Sequence, residues 1–311
     1  MNLKNKKLIV KSPAKINLHL EVLGKRDDGY HELAMIMQSI DLSDYLEMEV
    51  NSQNSLILDS NSDELCSNDD NLIIKAANKL KKYSQKDELG ANIFLKKNIP
   101  VGAGLAGGSS NAAATLVGLN KLWNLNYNSN LIHDIASEIG SDVPFFINGG
   151  SQYCFGRGEI LEKYDFNHQY GLILLKNPKV SVSTAEVYKN YSKIYLTSNT
   201  LSNKKIDEKR NNLKSMGFQN KNIFHSEIQI KNDLQRIVEC EVKSVSDSLN
   251  ILSEIKDKLC FSMSGSGPTC FAIVDNYENA KAICNKNKEL FAKYNLDSWI
   301  CNFYNKGATI I

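Results

Sequence analysis

A glycine-rich segment at residues 100–112 places the strongest constraint on how this chain can fold. Its sequence is Pro-Val-Gly-Ala-Gly-Leu-Ala-Gly-Gly-Ser-Ser-Asn-Ala. Alternating apolar residues before it predict a strand near 91–95, and apolar residues at helical spacing after it predict a helix over about 112–123. Glycines between a strand and a helix let backbone N–H groups approach an anion, so the segment predicts a phosphate-binding loop. We expect Ser109 or Ser110 to be the helix N-cap.

Other interpretations of this loop fit less well. The glycine spacing at 102–107 also matches the dinucleotide fingerprint, but the first acidic residue after the loop is Asp134, whereas that fold needs one about 20 positions further on. A Walker loop is excluded because Ser109 stands where its lysine is required. A glycine-rich helix entry with only a packing role stays open as an alternative.

A lysine and an aspartate far apart in the sequence are candidates for catalysis. Residues 15–22 alternate strictly between polar and apolar, which predicts a half-buried strand with Lys15 and Asn17 on its polar face. Asp142 follows a predicted helix end, where a loop could deliver its carboxylate into a cleft. Taken alone, Lys15 is a solvated strand lysine and Asp142 a turn or cap residue. A carboxylate to accept a hydroxyl proton, an ammonium and a phosphate loop are together the parts that phosphoryl transfer requires.

A second glycine loop, Ser264-Gly265-Ser266-Gly267, lies late in the chain between two apolar stretches. Its flexibility would let it close over a bound anion. A plain hairpin turn explains the same residues nearly as well, so both interpretations remain open.

The order of predicted elements indicates an α+β layered fold. Helical patterns are present at 71–83 and at about 130–139, where Gly140 would end the helix. The character of the sequence changes near 160–170, which makes that region the candidate domain boundary. Residues 189–232 are rich in Lys, Asn and Ser with weak periodicity, so we expect surface loops and short helices there.

Composition argues against several classes of function. The 311 residues include 37 Lys and Arg and 35 Asp and Glu, a net charge of +2 that gives no basic footprint for nucleic acid. No apolar run approaches the roughly 18 residues that cross a membrane, and Leu8-Ile9-Val10 is too short for a secretory signal, so we expect a cytoplasmic protein. The 7 cysteines form no C-x-x-C pair and the 5 histidines no H-E-x-x-H pattern. We therefore expect reduced, mostly buried thiols and no transition-metal site.

Taken in order, these segments resemble the GHMP family of small-molecule kinases. Three motifs carry the resemblance: Pro13-Ala14-Lys15-Ile16-Asn17-Leu18, the loop at 100–112, and the second glycine loop at 264–267. Residues 26–33 and 140–146 are similar to the branch of the family that acts on cytidine diphosphate methylerythritol. The similarity runs from about residue 8 to about 188 and resumes at 261–274. Ala103 and Ala106 depart from the pattern, because many relatives have glycine there.

The resemblance implies a two-domain GHMP kinase fold with the active site between the domains. A ribosomal-protein-S5-like nucleotide-binding domain would span 1–165, and a ferredoxin-like substrate domain 166–311. The implied reaction transfers the γ-phosphoryl group of ATP, with Mg²⁺, to the 2-hydroxyl of the methylerythritol moiety, in non-mevalonate isoprenoid precursor biosynthesis. The resemblance also implies a monomer or weak homodimer that acts on small molecules without nucleic acid or membrane partners. The sequence identifies no magnesium ligand, although Ser109 or Ser110 could supply an oxygen.

Carried over residue by residue, the resemblance implies Asp142 as the catalytic base and Lys15 as its partner. The resemblance implies that Asn71, Leu72 and Lys97 lie near the adenine end of ATP and that the loop from Gly102 to Ser110 holds its phosphates. The ATP-binding residues that it implies in this loop and just before it are Pro100, Gly102, Gly104, Leu105, Gly107, Gly108, Ser109 and Ser110. The implied substrate-binding residues are Asn17, Tyr30, His31, Thr184, Tyr188, Gly265 and Gly267. In this arrangement the cytosine would stack between Tyr30 and Tyr188, with His31 on its edge.

Three other functions compete with this one. A related kinase for homoserine or mevalonate is disfavoured, because Tyr30 and His31 suit a pyrimidine. A catalytically silent nucleotide sensor would need the loop but neither Lys15 nor Asp142. An RNA-binding protein with the S5-like fold conflicts with the near-zero net charge.

Overall fold

The structure, a computed structural model, describes residues 7–63, 70–164, 170–196, 201–216 and 230–311. The predicted division between residues 165 and 166 lies outside these ranges, so it stays a proposal. Parts of the predicted loop region 189–232 also lie outside them.

In these ranges the chain forms eleven strands and nine helices that mix along the sequence. The strands are β1 (Lys7–Lys25), β2 (His31–Val50), β3 (Leu56–Ser60), β4 (Ala91–Lys96), β5 (Ser151–Gly156), β6 (Ile160–Lys163), β7 (Gly171–Lys176), β8 (Lys258–Met263), β9 (Cys270–Val274), β10 (Asp297–Asn302) and β11 (Thr309–Ile310). The helices are α1 (Leu72–Ser84), α2 (Gly107–Leu122), α3 (Ser129–Ser137), α4 (Phe145–Asn148), α5 (Thr184–Tyr195), α6 (Asn203–Ser215), α7 (Gln235–Glu241), α8 (Lys243–Ser253) and α9 (Tyr277–Lys293).

The first sheet has seven strands in the described part of the chain, in the order β11-β1-β2-β4-β3, with β5 on β2 and β6 on β5. The long strand β2 pairs with β5 through its first half and with β4 through its second half. Helices α1 and α2 pack together, and α2 also packs on β1 and β2. Because β4 leads into α2, the glycine-rich segment lies where the sheet meets this helical layer.

The second sheet is antiparallel, with the order β10-β7-β9-β8 in the described residues. Helix α9 packs on β10 and β7, and α8 packs on β8 and β9. One buried cluster joins the two sheets, since it includes Ile16 and Leu18 of β1 as well as Leu172, Leu174 and Phe271 of the second sheet. This shared core fixes the cleft between the sheets. The last strand, β11, returns to the first sheet and pairs with β1.

The α+β architecture is confirmed, and so are the helices at 71–83 and 130–139. The expected N-cap of α2 is wrong: the helix begins at Gly107 with Ala106 as its cap, and its cap makes no side-chain hydrogen bond. The expected half-buried strand is also wrong, because the polar face of β1 is covered: Asn17 is 1% exposed. Backbone bonds from β1 to residues 231 and 233 provide part of that cover.

Two further expectations concern surface and cysteines. The 189–232 region holds a regular helix, α6, whose residues are mostly exposed; it is held on the first sheet by Ile206 and Leu213 and by ion pairs from Lys209 and Arg210. Among the described cysteines, four are buried, one is half-buried and Cys240 is exposed, as the sequence predicted. In the described residues, every helix is too short or too polar to cross a membrane.

Candidate active site

A cleft of about 1160 Å³ between the two sheets gathers almost all the predicted site residues. The predicted residues that line it are Lys15, Asn17, Tyr30, His31, Asn71, Leu72, Lys97, Pro100, Gly102, Gly104, Gly107, Gly108, Ser109, Asp142, Thr184, Tyr188, Gly265 and Gly267. These residues are spread along the sequence from Lys15 to Gly267, and the fold brings them together at one site.

Two predicted nucleotide-binding residues lie outside the cleft lining. The side chain of Leu105 is buried in the core between the sheets, and its carbonyl accepts a hydrogen bond from the backbone of Lys15 at 3.2 Å. Ser110 is fully buried, and its hydroxyl accepts from the hydroxyl of Ser12 at 2.8 Å. The structure gives both residues a supporting place behind the loop.

The catalytic pair faces the cleft from two elements. Lys15 projects from β1, and Asp142 lies just before α4, whose residues Phe145 and Phe146 anchor it in the core. The Lys15 ammonium is 3.9 Å from Asp142 Oδ2 and donates a 2.6 Å hydrogen bond to Asn17 Oδ1. Burial lowers the pKa of Lys15, and the carboxylate of Asp142 opposes that shift. The side chain of Asp142 is 33% exposed, so it is accessible to a hydroxyl group entering the cleft.

The start of α2 forms an anion-binding end of the cleft. Ala106 has φ 53, and its side chain does not cap the helix, so the first N–H groups of α2 have no side-chain cap. Gly107 and Gly108 at this end both line the cleft. A helix N-terminus with this exposure attracts phosphate through its free N–H groups and its dipole. The site therefore fits a nucleotide phosphate.

Close packing of the two glycine loops explains why position 104 has no side chain. Gly104 has φ +74, and a Cβ there would collide with the carbonyl oxygen of Ser264. Ser264 in turn donates from its hydroxyl to the carbonyl of Gly104 at 3.1 Å. The second glycine loop is therefore not a free hairpin tip, because it is held against the phosphate-binding loop.

The second glycine loop also reaches the catalytic pair. Gly265 has φ +56, and a Cβ there would lie 3.4 Å from the Lys15 ammonium and 3.5 Å from Asn17 Oδ1. On its other side, the hydroxyls of Ser266 and Thr184 are 2.7 Å apart. The loop thus connects the reacting centre to the start of α5.

No sequence motif marks Asp44, a fully buried carboxylate behind the nucleotide end. Its Oδ1 accepts from the backbone N–H groups of Asn98 and Ile99 at 2.7 and 2.8 Å. Its Oδ2 accepts from Lys97 Nζ at 2.5 Å and from Asn111 Nδ2 at 2.9 Å. Burial lowers the pKa of Lys97, and Asp44 opposes the shift. The carboxylate connects β2, the end of β4 and α2. It holds the Lys97 ammonium beside Gly107, at the phosphate-binding end and not only near the adenine end as the resemblance implied.

The aromatic end of the cleft is already partly filled by protein groups. The guanidinium of Arg157 lies 4.7 Å from the centre of the Tyr30 ring, and the ring of His31 stacks on that of Tyr188 at 5.0 Å. Tyr30 itself is 53% exposed. One face of each tyrosine ring is therefore covered, and a ligand base would stack on the uncovered face.

The charge of the cleft lining favours a polyanion. Five cations line it against two carboxylates; they are Lys15, Lys25, Lys97, Arg157 and Lys189, with Asp70 and Asp142. Lys25, Arg157 and Lys189 were missed by sequence analysis, because no motif marks an isolated cation. In the described residues no group of three or more His, Cys, Asp or Glu side chains could hold a metal. Ser109, which lines the cleft, is the predicted magnesium ligand that remains accessible.

Family models match both halves of the chain. The GHMP kinases N terminal domain matches residues 71–150, and the GHMP kinases C terminal domain matches residues 214–293. The first match contains the phosphate-binding loop and Asp142, and the second contains the second glycine loop.

Named proteins and solved structures show the same likeness. The chain is 57% identical over 310 residues to the 4-diphosphocytidyl-2-C-methyl-D-erythritol kinase of Prochlorococcus marinus (strain MIT 9215), covering 100% of this chain and 99% of the relative. A solved 4-(cytidine 5'-diphospho)-2C-methyl-D-erythritol kinase superposes with a TM-score of 0.71 at 24% identity, over 96% of this chain and 99% of that one. Homoserine kinase from Cytophaga hutchinsonii gives 0.70 at 16% identity, over 100% and 99%. These two superpositions show the shared fold.

Proposed function

Because this chain belongs to the GHMP kinase family, we propose that it phosphorylates 4-diphosphocytidyl-2-C-methyl-D-erythritol. The γ-phosphoryl group of ATP goes to the 2-hydroxyl, giving the 2-phosphate and ADP, as a step of non-mevalonate isoprenoid precursor biosynthesis. The observation that carries the proposal is the cleft: it places the Lys15–Asp142 pair and an uncapped helix N-terminus on walls of one cavity. The solved homoserine kinase shares only the fold with this chain. The proposed substrate therefore depends on the named relatives that match this chain over its full length.

Asp142 is the proposed base. Its carboxylate takes the proton of the 2-hydroxyl as the new O–P bond forms and the bond between the γ-phosphorus and the leaving ADP breaks. Lys15 supports this step because an ammonium near the hydroxyl favours its ionised form. Asn17 orients that ammonium through its 2.6 Å hydrogen bond. General-base assistance of this kind is worth about 10²–10⁴-fold in rate.

The nucleotide occupies the part of the cleft at the start of α2, with its γ-phosphoryl group directed toward the 2-hydroxyl beside Asp142. The phosphates meet the N–H groups of residues 107–109 and the ammonium of Lys97, while Asn71 and Leu72 lie at the adenine end. Ser109 would offer a hydroxyl oxygen to Mg²⁺, which would neutralise charge on the phosphates when bound. All these residues belong to one chain, so a monomer contains the whole site.

The cytidine diphosphate binds toward the aromatic end. Lys25, Arg157 and Lys189 provide positive charge for its diphosphate, while Tyr30 and Tyr188 provide flat surfaces for the base. Stacking of a base on an aromatic side chain contributes about 1–3 kcal/mol.

An ADP-release assay tests the substrate. Purified protein is given ATP and Mg²⁺ with the cytidylated methylerythritol, homoserine, mevalonate or no acceptor. We expect turnover only with the cytidylated acceptor, because the aromatic end of the cleft suits a pyrimidine. Turnover with homoserine or mevalonate would show that the protein phosphorylates another substrate. ATP binding without any turnover would indicate a nucleotide sensor.

Asp142→Asn tests the base. The amide keeps the size of the side chain but cannot accept the proton, so kcat is expected to fall by about 10²–10⁴-fold. ATP affinity, measured by calorimetry, is expected to stay within about twofold, because the substitution leaves the N–H groups at the start of α2 in place. Near-normal kcat in this variant would show that another group is the base.

A further inference from the structure

The side chain of Asn232 holds the second glycine loop from the side away from the cleft. Its amide nitrogen donates to two backbone carbonyls, that of Met263 at 2.7 Å and that of Gly265 at 2.9 Å. Its amide oxygen accepts from the backbone N–H of Leu234 at 3.0 Å. Both N–H donors of the amide are therefore used on the loop and the strand that enters it. Asn232 is outside the cleft lining, whereas residues 265–267 line the cleft.

The backbone around Asn232 is attached to the strand that carries Lys15. The N–H of Leu20 in β1 donates to the carbonyl of Lys231 at 2.8 Å, and the N–H of Asp233 donates to the carbonyl of Leu20 at 3.0 Å. The amide of Asn232 thus joins the second glycine loop to β1.

The bond to the Gly265 carbonyl also sets the direction of an N–H group. Gly265 and Ser266 are joined by a trans peptide, in which the carbonyl and the following N–H point in opposite directions. Because the Gly265 carbonyl points toward Asn232, the N–H of Ser266 points toward the cleft. Within the described ranges this N–H donates to no protein group. It is therefore available to a ligand.

The surroundings of this N–H suit an anion. A Cβ at Gly265 would lie 3.4 Å from the Lys15 ammonium, so the loop adjoins a positive charge. Gly265 has φ +56, and loops in which a residue takes this conformation often turn successive N–H groups toward an anion. A hydrogen bond from a backbone N–H to a charged oxygen is also shorter and stronger than one between neutral groups.

We propose that Asn232 is a positioning residue: by holding the carbonyl of Gly265, it directs the N–H of Ser266 at a phosphate oxygen of a bound substrate. The inference rests on the proposed function, because both substrates of that reaction carry phosphates. The oxygen belongs to the diphosphate of the cytidylated acceptor or to the nucleotide, and titrations with CDP and with ADP distinguish these sources. Without the Asn232 amide, the peptide between Gly265 and Ser266 can rotate and its N–H loses this direction.

NMR observes the N–H of Ser266 directly. In protein made by cell-free synthesis with carbon-13 at the glycine carbonyl and nitrogen-15 in serine, only four Gly–Ser peptides give signals, those of Ser109, Ser141, Ser151 and Ser266. The Ser266 signal is identified by its loss in Ser266→Ala. We expect CDP or ADP to move the Ser266 amide proton downfield in the wild type, and to move it less in Asn232→Ala. A wild-type Ser266 signal that neither ligand moves would overturn the proposal.

Calorimetry measures the effect on binding. In Asn232→Ala we expect the Kd of each ligand that moves the Ser266 signal to rise by about tenfold, as expected for one hydrogen bond to a charged group. A role in folding alone would lower the melting temperature and leave both Kd values unchanged, and that result would overturn the proposal.

Asn232→Asp separates the two ends of the amide. A carboxylate keeps an acceptor for the N–H of Leu234 but cannot donate to the carbonyl of Gly265. We expect this variant to bind the same ligand at least as weakly as Asn232→Ala does. Wild-type affinity in Asn232→Asp would show that only the bond to Leu234 matters, which would overturn the proposal.

Asn120→Ala is the matched control. Asn120 is also half-buried, and its amide donates to the carbonyl of Tyr127 and accepts from its N–H, both at 3.0 Å, but it is outside the cleft lining. We expect a lower melting temperature with unchanged Kd values. If the wild type phosphorylated no acceptor, the proposed function would fail. The titrations would still test Asn232, because they require binding and not turnover.

Discussion

At the scale of single residues, the buried ammonium of Lys15 serves the proposed chemistry but destabilises the folded state. Its ammonium is buried with one carboxylate 3.9 Å away, and burial still lowers its pKa. A buried cation with incomplete compensation lowers the stability of the folded state. The sequence pattern predicted Lys15 on a polar strand face, but it could not predict the burial. The segments that cover this face lie more than 200 positions away.

Replacing Lys15 by Met separates the two effects. Because the folded pKa is below 10.5, the unfolded chain binds more protons between that pKa and 10.5, so wild-type stability rises with pH in this window. At neutral pH we expect Lys15→Met to melt at a higher temperature than the wild type, with the difference shrinking as pH rises toward 10.

The same variant is expected to lose about 10²–10³-fold in kcat, since the ammonium no longer stabilises developing charge. Thermal melts from pH 7 to 10 and steady-state kinetics measure both effects. A lower melting temperature at neutral pH would mean that the Lys15–Asp142 attraction outweighs burial.

Ala106 carries local backbone strain. Its φ of 53 lies in the left-handed region, which costs a residue with a side chain about 1–2 kcal/mol. Ala106→Gly should therefore stabilise the protein by about 0.5–1 kcal/mol after the entropy cost of glycine. Ala103, three residues earlier, is not at positive φ, and Ala103→Gly should destabilise by about 1 kcal/mol. Urea unfolding of both variants measures the difference; equal signs would contradict the strain.

At the scale of elements, the junction between β4 and α2 depends on Asp44. Local sequence patterns predicted the strand, the loop and the helix, because each of them depends on residues that are adjacent in the sequence. They could not predict the carboxylate that joins them, since Asp44 is 53 positions from Lys97 and 67 from Asn111. The predicted serine N-cap failed for a related reason: a capping hydroxyl would occupy the N–H groups that the cleft leaves available.

Asp44→Asn should weaken this junction. The amide cannot neutralise Lys97, and an unpaired buried cation costs about 3–5 kcal/mol. Lys97→Met should also destabilise, because it leaves Asp44 without its cation. The double variant should recover part of the loss, giving a favourable coupling in a double-mutant cycle measured by urea unfolding. Strictly additive effects would show that the 2.5 Å pair contributes little.

At the scale of the whole molecule, the end of the chain supports the active site. β11 pairs with β1, the backbone of Ile311 donates to Ile9 at 3.0 Å, and that of Ala308 donates to Phe146 of α4 at 2.7 Å. Family resemblance predicted two domains in chain order, but a strand of two residues has no pattern that could reveal this return. Asp142 lies just before α4, so its position depends on the chain's last residues.

Deleting residues 308–311 should therefore affect both stability and catalysis. Loss of these backbone hydrogen bonds, each worth about 1 kcal/mol, should lower the free energy of unfolding by about 2–4 kcal/mol. We expect kcat to fall, since α4 directly follows the loop that carries Asp142. Thr309→Ala, which keeps the backbone bonds, is the control. An unchanged kcat in the deletion variant would show that α4 keeps its position without residues 308–311.

The contact between the two glycine loops also limits how such enzymes can be recombined. Ser264 and Gly104 lie so close that position 104 cannot gain a side chain unless the second glycine loop moves away. In a chimera with one sheet from this protein and the other from a distant relative, the two loops would come from different proteins, and their contact surfaces would not match. The two loops therefore have to fit each other although some 160 positions separate them, and an exchange of domains with a distant relative has to carry both.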